Sequence, residues 1–166
     1  AMGFRSTDVV MLTFPYLYMA GLAISGGLRR LGATVIASGP GGTDFQVQLM
    51  RQAKVTAFVG SPGFFMNIIK RAEEMGLDIR RDFSLRLAML TAEMVPMSLR
   101  RKLEQEYKLI LPEGYGTSEG LGGYACPAQQ GFHVNYDQII EILNPTTGEP
   151  VAPGEVGEIV GTAMGM

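Results

Sequence analysis

Five consecutive residues, Tyr115-Gly116-Thr117-Ser118-Glu119, put an aromatic ring, two hydroxyls and a carboxylate on one short stretch of backbone. A tyrosine ring can stack on a planar base, a hydroxyl can donate to a phosphate oxygen, and a carboxylate can hold Mg2+ against the same phosphate. Gly116 lets the backbone approach a ligand closely. The same residue types also make an ordinary turn and helix cap, and the residues alone favour that turn. Thr91-Ala92-Glu93 supplies a second carboxylate, suited either to a ligand or to capping the helix that follows. Cys126 and His133 are zinc-type ligands, but a closed zinc site takes about four of them. The chain holds one Cys and one His, which favours a buried free cysteine and a loop histidine over zinc.

The elements that must position these residues alternate along the first two-thirds of the chain. Val9 to Phe14 reads as a strand and Tyr16 to Leu31 as a helix ended by Gly32. Thr34 to Ala37 is a second strand. After the turn Ser38 to Gly42, Thr43 and Gln46 have capping-box spacing and open a helix to about Ala53. Val55 to Gly60 is a third strand. Ser61-Pro62 opens a helix running to Met75, before Gly76. Leu85 to Thr91 is a fourth strand, Ser98 to Tyr107 a charged helix, and Leu109 to Leu111 a fifth strand. Continuous apolar strands alternating with helices predict an α/β fold. It is a doubly wound, mostly parallel sheet of about five strands with helices on both faces. Thr91 to Glu93 and Tyr115 to Glu119 then leave strands at the carboxyl edge, where open parallel sheets bind ligands.

After Glu119 the character changes. Gly120 to Gly131 reads as a loop, and His133 to Leu143 as a strand. Asn144 to Gly148 and Pro153-Gly154 are turns, and Gly157 to Thr162 is a last strand. These pieces predict a small antiparallel β extension, so the expected division is 1–119 and 120–166. The final strand stops so near Met166 that the chain reads as a piece of a longer protein.

Composition narrows the function classes. With 46% apolar and 18% charged residues the chain can bury a core, which argues against disorder. A net charge of −2 does not favour a nucleic-acid backbone or an anionic membrane. Val9 to Leu28 carries no charge and approaches the ~20 residues of a membrane span. Pro15 and three glycines split that run, so a strand followed by a helix is the better reading. One cysteine excludes a disulfide framework and suits a reducing compartment. With no signal peptide visible, a cytoplasmic location is expected. Uncovered apolar surface would favour self-association, leaving a homodimer open.

In this setting the sequence resembles the phenylacetate–coenzyme A ligases of the adenylate-forming (AMP-binding) superfamily. Tyr115 to Glu119 matches the family's Tyr-Gly-x-Ser/Thr-Glu motif. Leu31 to Ile36, Ala72 to Gly76 and Ala92-Glu93 look like family segments, as does Glu141 to Pro150 continuing through Pro153-Gly154-Glu155 to Val160. The resemblance runs in order along nearly the whole chain. It implies that Tyr115 flanks adenine, that Ser118 contacts the α-phosphate and that Glu119 binds Mg2+, with Gly116 and Thr117 in the same nucleotide-binding motif. Thr91, Ala92 and Glu93 would line the adenine site, although Thr91 stands where the family usually has Gly. Tyr16 to Gly21 resembles the aromatic-acid pocket, with Tyr18 where a ring commonly sits. For Tyr16 and Tyr18, the residues alone favour a helix face packed on the sheet. Some relatives carry a Cys/His cluster near Cys126 and His133.

The resemblance thus implies an ATP-dependent acid–thiol ligase that makes an acyl-adenylate and transfers the acyl group to coenzyme A. Its partners would be an aromatic carboxylic acid, ATP and coenzyme A. The superfamily's Gly/Ser/Thr-rich phosphate loop, ribose-binding Asp and lysine-bearing lid have no counterpart in these 166 residues. The chain by itself is therefore expected to be inactive. A nucleotide-binding module, an adenylating enzyme with another acceptor, and a structural domain remain the rival readings.

Overall fold

Val10, Met11 and Leu12 of strand β1 (Val9–Leu12) are fully buried, and the strand's residues alternate between two separate cores. That alternation is the signature of a parallel sheet covered on both faces. The computed structural model describes residues 2–126, 128 and 131–164. It divides into two units, one ending at Glu113 and the other starting at Gly114.

In the first unit, β1 is followed by α1 (Met19–Leu31), β2 (Thr34–Ala37), α2 (Thr43–Gln52), β3 (Ala57–Gly60), α3 (Pro62–Glu74), β4 (Leu87–Leu90) and α4 (Met97–Gln105). The four strands are parallel in the order β2-β1-β3-β4. Val10, Leu12, Ala57, Val59, Leu87 and Met89 face Leu28 of α1. Met11, Phe58, Ala88 and Leu90 face Val47 and Met50 of α2, Phe65 and Ile68 of α3, and Leu103 of α4. Helices therefore cover both faces, as a doubly wound sheet requires.

Three local expectations change. The fifth strand shrinks to one parallel bridge between Ile110 and Leu87. Lys108 at φ 58 turns the chain in just before it, and Pro112, which has no amide to donate, closes it. Helix α1 starts at Met19 rather than Tyr16, because Pro15 and the turn after it occupy the entry, with the Tyr18 amide donating to the Pro15 carbonyl. The capping box does not form. Gly42 is the N-cap of α2, and Gln46 turns inward so that its Nε2 donates to the Gly39 carbonyl at 2.9 Å. By contrast, Ser61 caps α3 as its position implies, accepting from the Phe64 amide at 3.3 Å. Among the described residues, no helix is long and apolar enough to cross a membrane.

The second unit holds a three-stranded antiparallel sheet, β5 (Gly114–Gly116), β6 (Gly122–Ala125) and β7 (Phe132–Val134). A ribbon of β8 (Gln138–Leu143) and β9 (Glu158–Ala163) completes it. The second unit starts at Gly114, where β5 pairs with β6. The stretch read as a loop from Gly120 to Gly131 contains β6. A Cβ on Gly122 would lie 2.8 Å from the Tyr115 carbonyl oxygen, and one on Gly123 would lie 2.5 Å from that of His133. Those glycines permit close strand approach rather than looseness. Positions 127, 129 and 130 of the same stretch lie outside the described residues. The segment read as one strand from His133 to Leu143 is two strands, β7 and β8, broken at Asn135 to Asp137.

Candidate functional site

Tyr115 and Gly116 lie in β5, and Thr117 to Leu121 form the turn into β6. The Thr117 amide donates to the Leu121 carbonyl at 2.8 Å, and Gly120, at φ 91, supplies the left-handed step that closes the turn. Ser118 and Glu119 sit exposed at its tip. The Tyr115 ring is half-exposed and packs edge-tilted against Phe132, with centroids 6.2 Å apart and planes at 57°. The Glu119 carboxyl is held below the usual carboxylate range, first by its own backbone amide and then by the Thr117 hydroxyl. One hairpin therefore gathers Tyr115, Gly116, Thr117, Ser118 and Glu119, and presents a hydroxyl, a charged carboxylate and a ring to solvent.

Thr91, Ala92 and Glu93 belong to the first unit, at the carboxyl end of β4. The Thr91 amide donates to the Gly60 carbonyl, extending the ladder past β3. Ala92 then adopts φ 71, a left-handed conformation that costs an alanine roughly 1–2 kcal/mol. Such strain at a strand exit is a common mark of a functional turn. Glu93 leaves this turn toward α3, and its Oε2 lies 3.5 Å from where a Cβ on Gly63 would stand. The amino terminus of α3 gives that carboxylate favourable electrostatic company.

The segment after β1 is built differently from the helix face expected of it. Tyr16 and Tyr18 precede α1 and are both exposed, Tyr18 at 61%. The Tyr16 hydroxyl lies 2.7 Å from Ser25 Oγ, which also accepts from Arg29 Nε at 3.2 Å. The Ser25 contact, with Arg29 behind it, lowers the Tyr16 phenol below its ordinary value. Ser25 and Arg29 were not singled out by sequence. Their positions one helical turn apart carry no signal until Pro15 folds Tyr16 back onto α1. Gly21 is buried, and a Cβ there would stand 2.3 Å from the Pro15 carbonyl oxygen. Its role in this structure is to admit that carbonyl.

Cys126 is a free, half-buried thiol, and His133 lies in β7 rather than in a loop. The His133 ring stacks obliquely on Tyr124 at 5.2 Å. Among the described residues, no group of three or more His, Cys, Asp or Glu is placed to hold a metal ion. A single exposed carboxylate suits Mg2+ better than zinc, because Mg2+ commonly takes one or two carboxylates with substrate phosphates and water. Glu119 fits that pattern.

The first unit ends its parallel strands in a strained turn at Ala92, and the second carries Tyr-Gly-Thr-Ser-Glu on a hairpin. The chain belongs to the AMP-binding enzyme family, whose model matches residues 1–165. It is 35% identical to the phenylacetate-coenzyme A ligase of Pseudomonas putida, over 99% of this chain and 38% of that protein. The corresponding ligase of Escherichia coli K12 is 32% identical over 99% of this chain and 39% of its own length. The chain thus spans under two-fifths of these relatives. Among solved structures, an open form of 2-hydroxyisobutyryl-CoA ligase, in complex with 2-HIB-AMP and CoA, superposes with a TM-score of 0.83. It shares 24% identity over 98% of this chain and 38% of that one, a likeness of fold.

Proposed function

We propose that the protein carrying this chain is an AMP-forming acid–coenzyme A ligase acting on an aromatic carboxylic acid. The observation that carries this reading is the hairpin that exposes Ser118 and an ionised Glu119 at its tip and Tyr115 in the strand leading to it. The family membership and the two phenylacetate-coenzyme A ligase relatives support it.

A carboxylic acid resists thioester formation because hydroxide is a poor leaving group. In the proposed reaction a carboxylate oxygen of the acid attacks the α-phosphorus of ATP. The bond to pyrophosphate breaks, and a mixed anhydride with AMP results. The thiolate sulfur of coenzyme A then attacks the acyl carbon, and AMP leaves with the electron pair. Mg2+ held at Glu119 would supply charge neutralisation on the phosphates during such phosphoryl chemistry. Ser118 would donate to an α-phosphate oxygen, and Tyr115 would offer its face to the adenine. Thr91, Ala92 and Glu93 are assigned to the adenine as well, and Tyr16, Tyr18 and Gly21 to the surroundings of the acid. Cytoplasmic location and a homodimer belong to the same proposal. The 166-residue chain alone is proposed to be inactive, since it contains no counterpart of the phosphate loop or lid.

ATP–pyrophosphate exchange on the full-length protein, with arylacetic and benzoic acids, tests this directly. Exchange together with thioester formation is expected, and Glu119→Gln should abolish both while leaving the melting temperature unchanged. Exchange without thioester would indicate a different acceptor. No exchange with any acid would leave a nucleotide-binding module.

A further inference from the structure

We propose that Gln138 is a positioning residue for the hairpin turn that carries Ser118 and Glu119. Gln138 opens β8 and is 7% exposed. Its Oε1 accepts from the Gly122 amide at 2.8 Å. Gly122 is the first residue of β6, directly after the turn, and faces Gly116 in β5.

The backbone ladder explains why a side chain is needed there. The β6–β7 register continues from Gly123 opposite Val134 to Gly122 opposite Asn135, and the Asn135 amide donates to the Gly122 carbonyl at 3.3 Å. In an antiparallel pair of this type the two residues exchange both bonds. The reciprocal bond, from the Gly122 amide to the Asn135 carbonyl, is replaced by the bond to Gln138. The side chain thus stands in for a strand that has turned away, at the residue where the hairpin must hold its register. Gly122 has no side chain of its own to fix it, and a Cβ there would press on the Tyr115 carbonyl.

Gln138 Nε2 is buried and has no hydrogen-bond partner among the described residues. A side chain present only to fill space would be better as methionine, which has similar length and leaves no polar group unpaired. The amide is worth keeping for its oxygen. Gln138 acts on Ser118 and Glu119 through Gly122 and touches neither nucleotide nor metal in this account. Its effect on activity rests on the adenylation reading above.

The test uses the full-length protein with Gln138→Met, which removes the acceptor, and Gln138→Glu, which keeps an oxygen at the same reach. Deuterium uptake over residues 115–122 is measured beside exchange kinetics and melting temperature. In Gln138→Met, uptake should rise in that segment and kcat for exchange should fall by about tenfold or more, with KM for the acid held within about twofold. Gln138→Glu should restore both. Unchanged uptake in Gln138→Met overturns the proposal. So does a loss of activity that merely follows the melting temperature in both variants. If Gln138→Met does not fold, the unmodified protein decides: a Gly122 amide exchanging at the unprotected rate overturns the proposal, and a protected one supports it. Absence of exchange activity in the unmodified protein would sink the adenylation reading alone, and the deuterium result would still judge Gln138.

Discussion

At the amino end of the parallel sheet, Asp8, Thr56 and Arg86 stitch three strands together; at the carboxyl end the same strands run out into turns that stay open. Asp8 is 2% exposed. Its Oδ1 accepts from Thr56 Oγ1 at 2.8 Å and Arg86 Nε at 3.0 Å, and its Oδ2 accepts from the Arg5 amide at 2.7 Å and from Arg86 Nη2. Arg86 Nη2 also donates to the Gly3 carbonyl. The opposite end exposes Leu17, Tyr18 and Met94, and holds Ala92 in a left-handed conformation. A charged group closed in by partners stabilises the sheet without being available to a ligand. Exposed apolar side chains and a strained turn cost stability. The strands are thus clamped by side-chain hydrogen bonds at their amino end and left in exposed turns at their carboxyl end.

The strongest way to break this comparison is Arg86→Met, which leaves the Asp8 carboxylate buried with too few partners. Removing one member of such a pair should cost about 3 kcal/mol. In a chain of this size that lowers the melting temperature by roughly 6–12 °C. A loss under about 1 kcal/mol would show that Thr56 and the Arg5 amide suffice, and that the clamp is not the sheet's anchor.

Acid sharpens the same point. Burial alone would raise the Asp8 carboxyl, but the hydrogen bonds from Arg86, the Arg5 amide and Thr56 outweigh it and hold the group below its ordinary value. A folded value below the unfolded one stabilises the protein fully above the unfolded pKa, about 3.9, and this contribution is lost as pH falls through the folded value. Thermal melts of the unmodified chain should therefore decline on acidification below about pH 4. The gap to Arg86→Met should narrow over the same range. A gap that stays constant would assign the acid sensitivity to another carboxylate.

The smallest effect is expected at the open end. Ala92→Gly removes the left-handed penalty and should raise stability by about 0.5–1 kcal/mol, after the extra freedom glycine gives the unfolded chain. Urea denaturation reads this difference. A destabilised variant would mean that Ala92 is held by packing rather than strained against it.

The alternation of strand and helix, the parallel sheet and the positions of Ser61 and Gly32 were legible because each is a local preference that tertiary packing reinforced. The capping box was not, because Gln46 is drawn inward to the Gly39 carbonyl instead of bonding its own helix end. The Tyr-Gly-Thr-Ser-Glu motif was legible as residue types at a set spacing. Its location in an antiparallel hairpin, rather than after a fifth parallel strand, was not. Short glycine-rich strands carry no hydrophobic period, so nothing in β5 or β6 announces a strand.

By itself, then, the sequence determined the fold class, the family motif and the grouping of a carboxylate and two hydroxyls on one short stretch, since residue type and spacing fix these. Only the tertiary structure decided that Gly21 admits the Pro15 carbonyl, that Tyr16 is tied to Ser25, and that Asp8 meets Arg86 across the amino end of the sheet. The last pair is separated by most of the first unit. Contacts of that kind depend on strand order and register, which no local run of residues encodes.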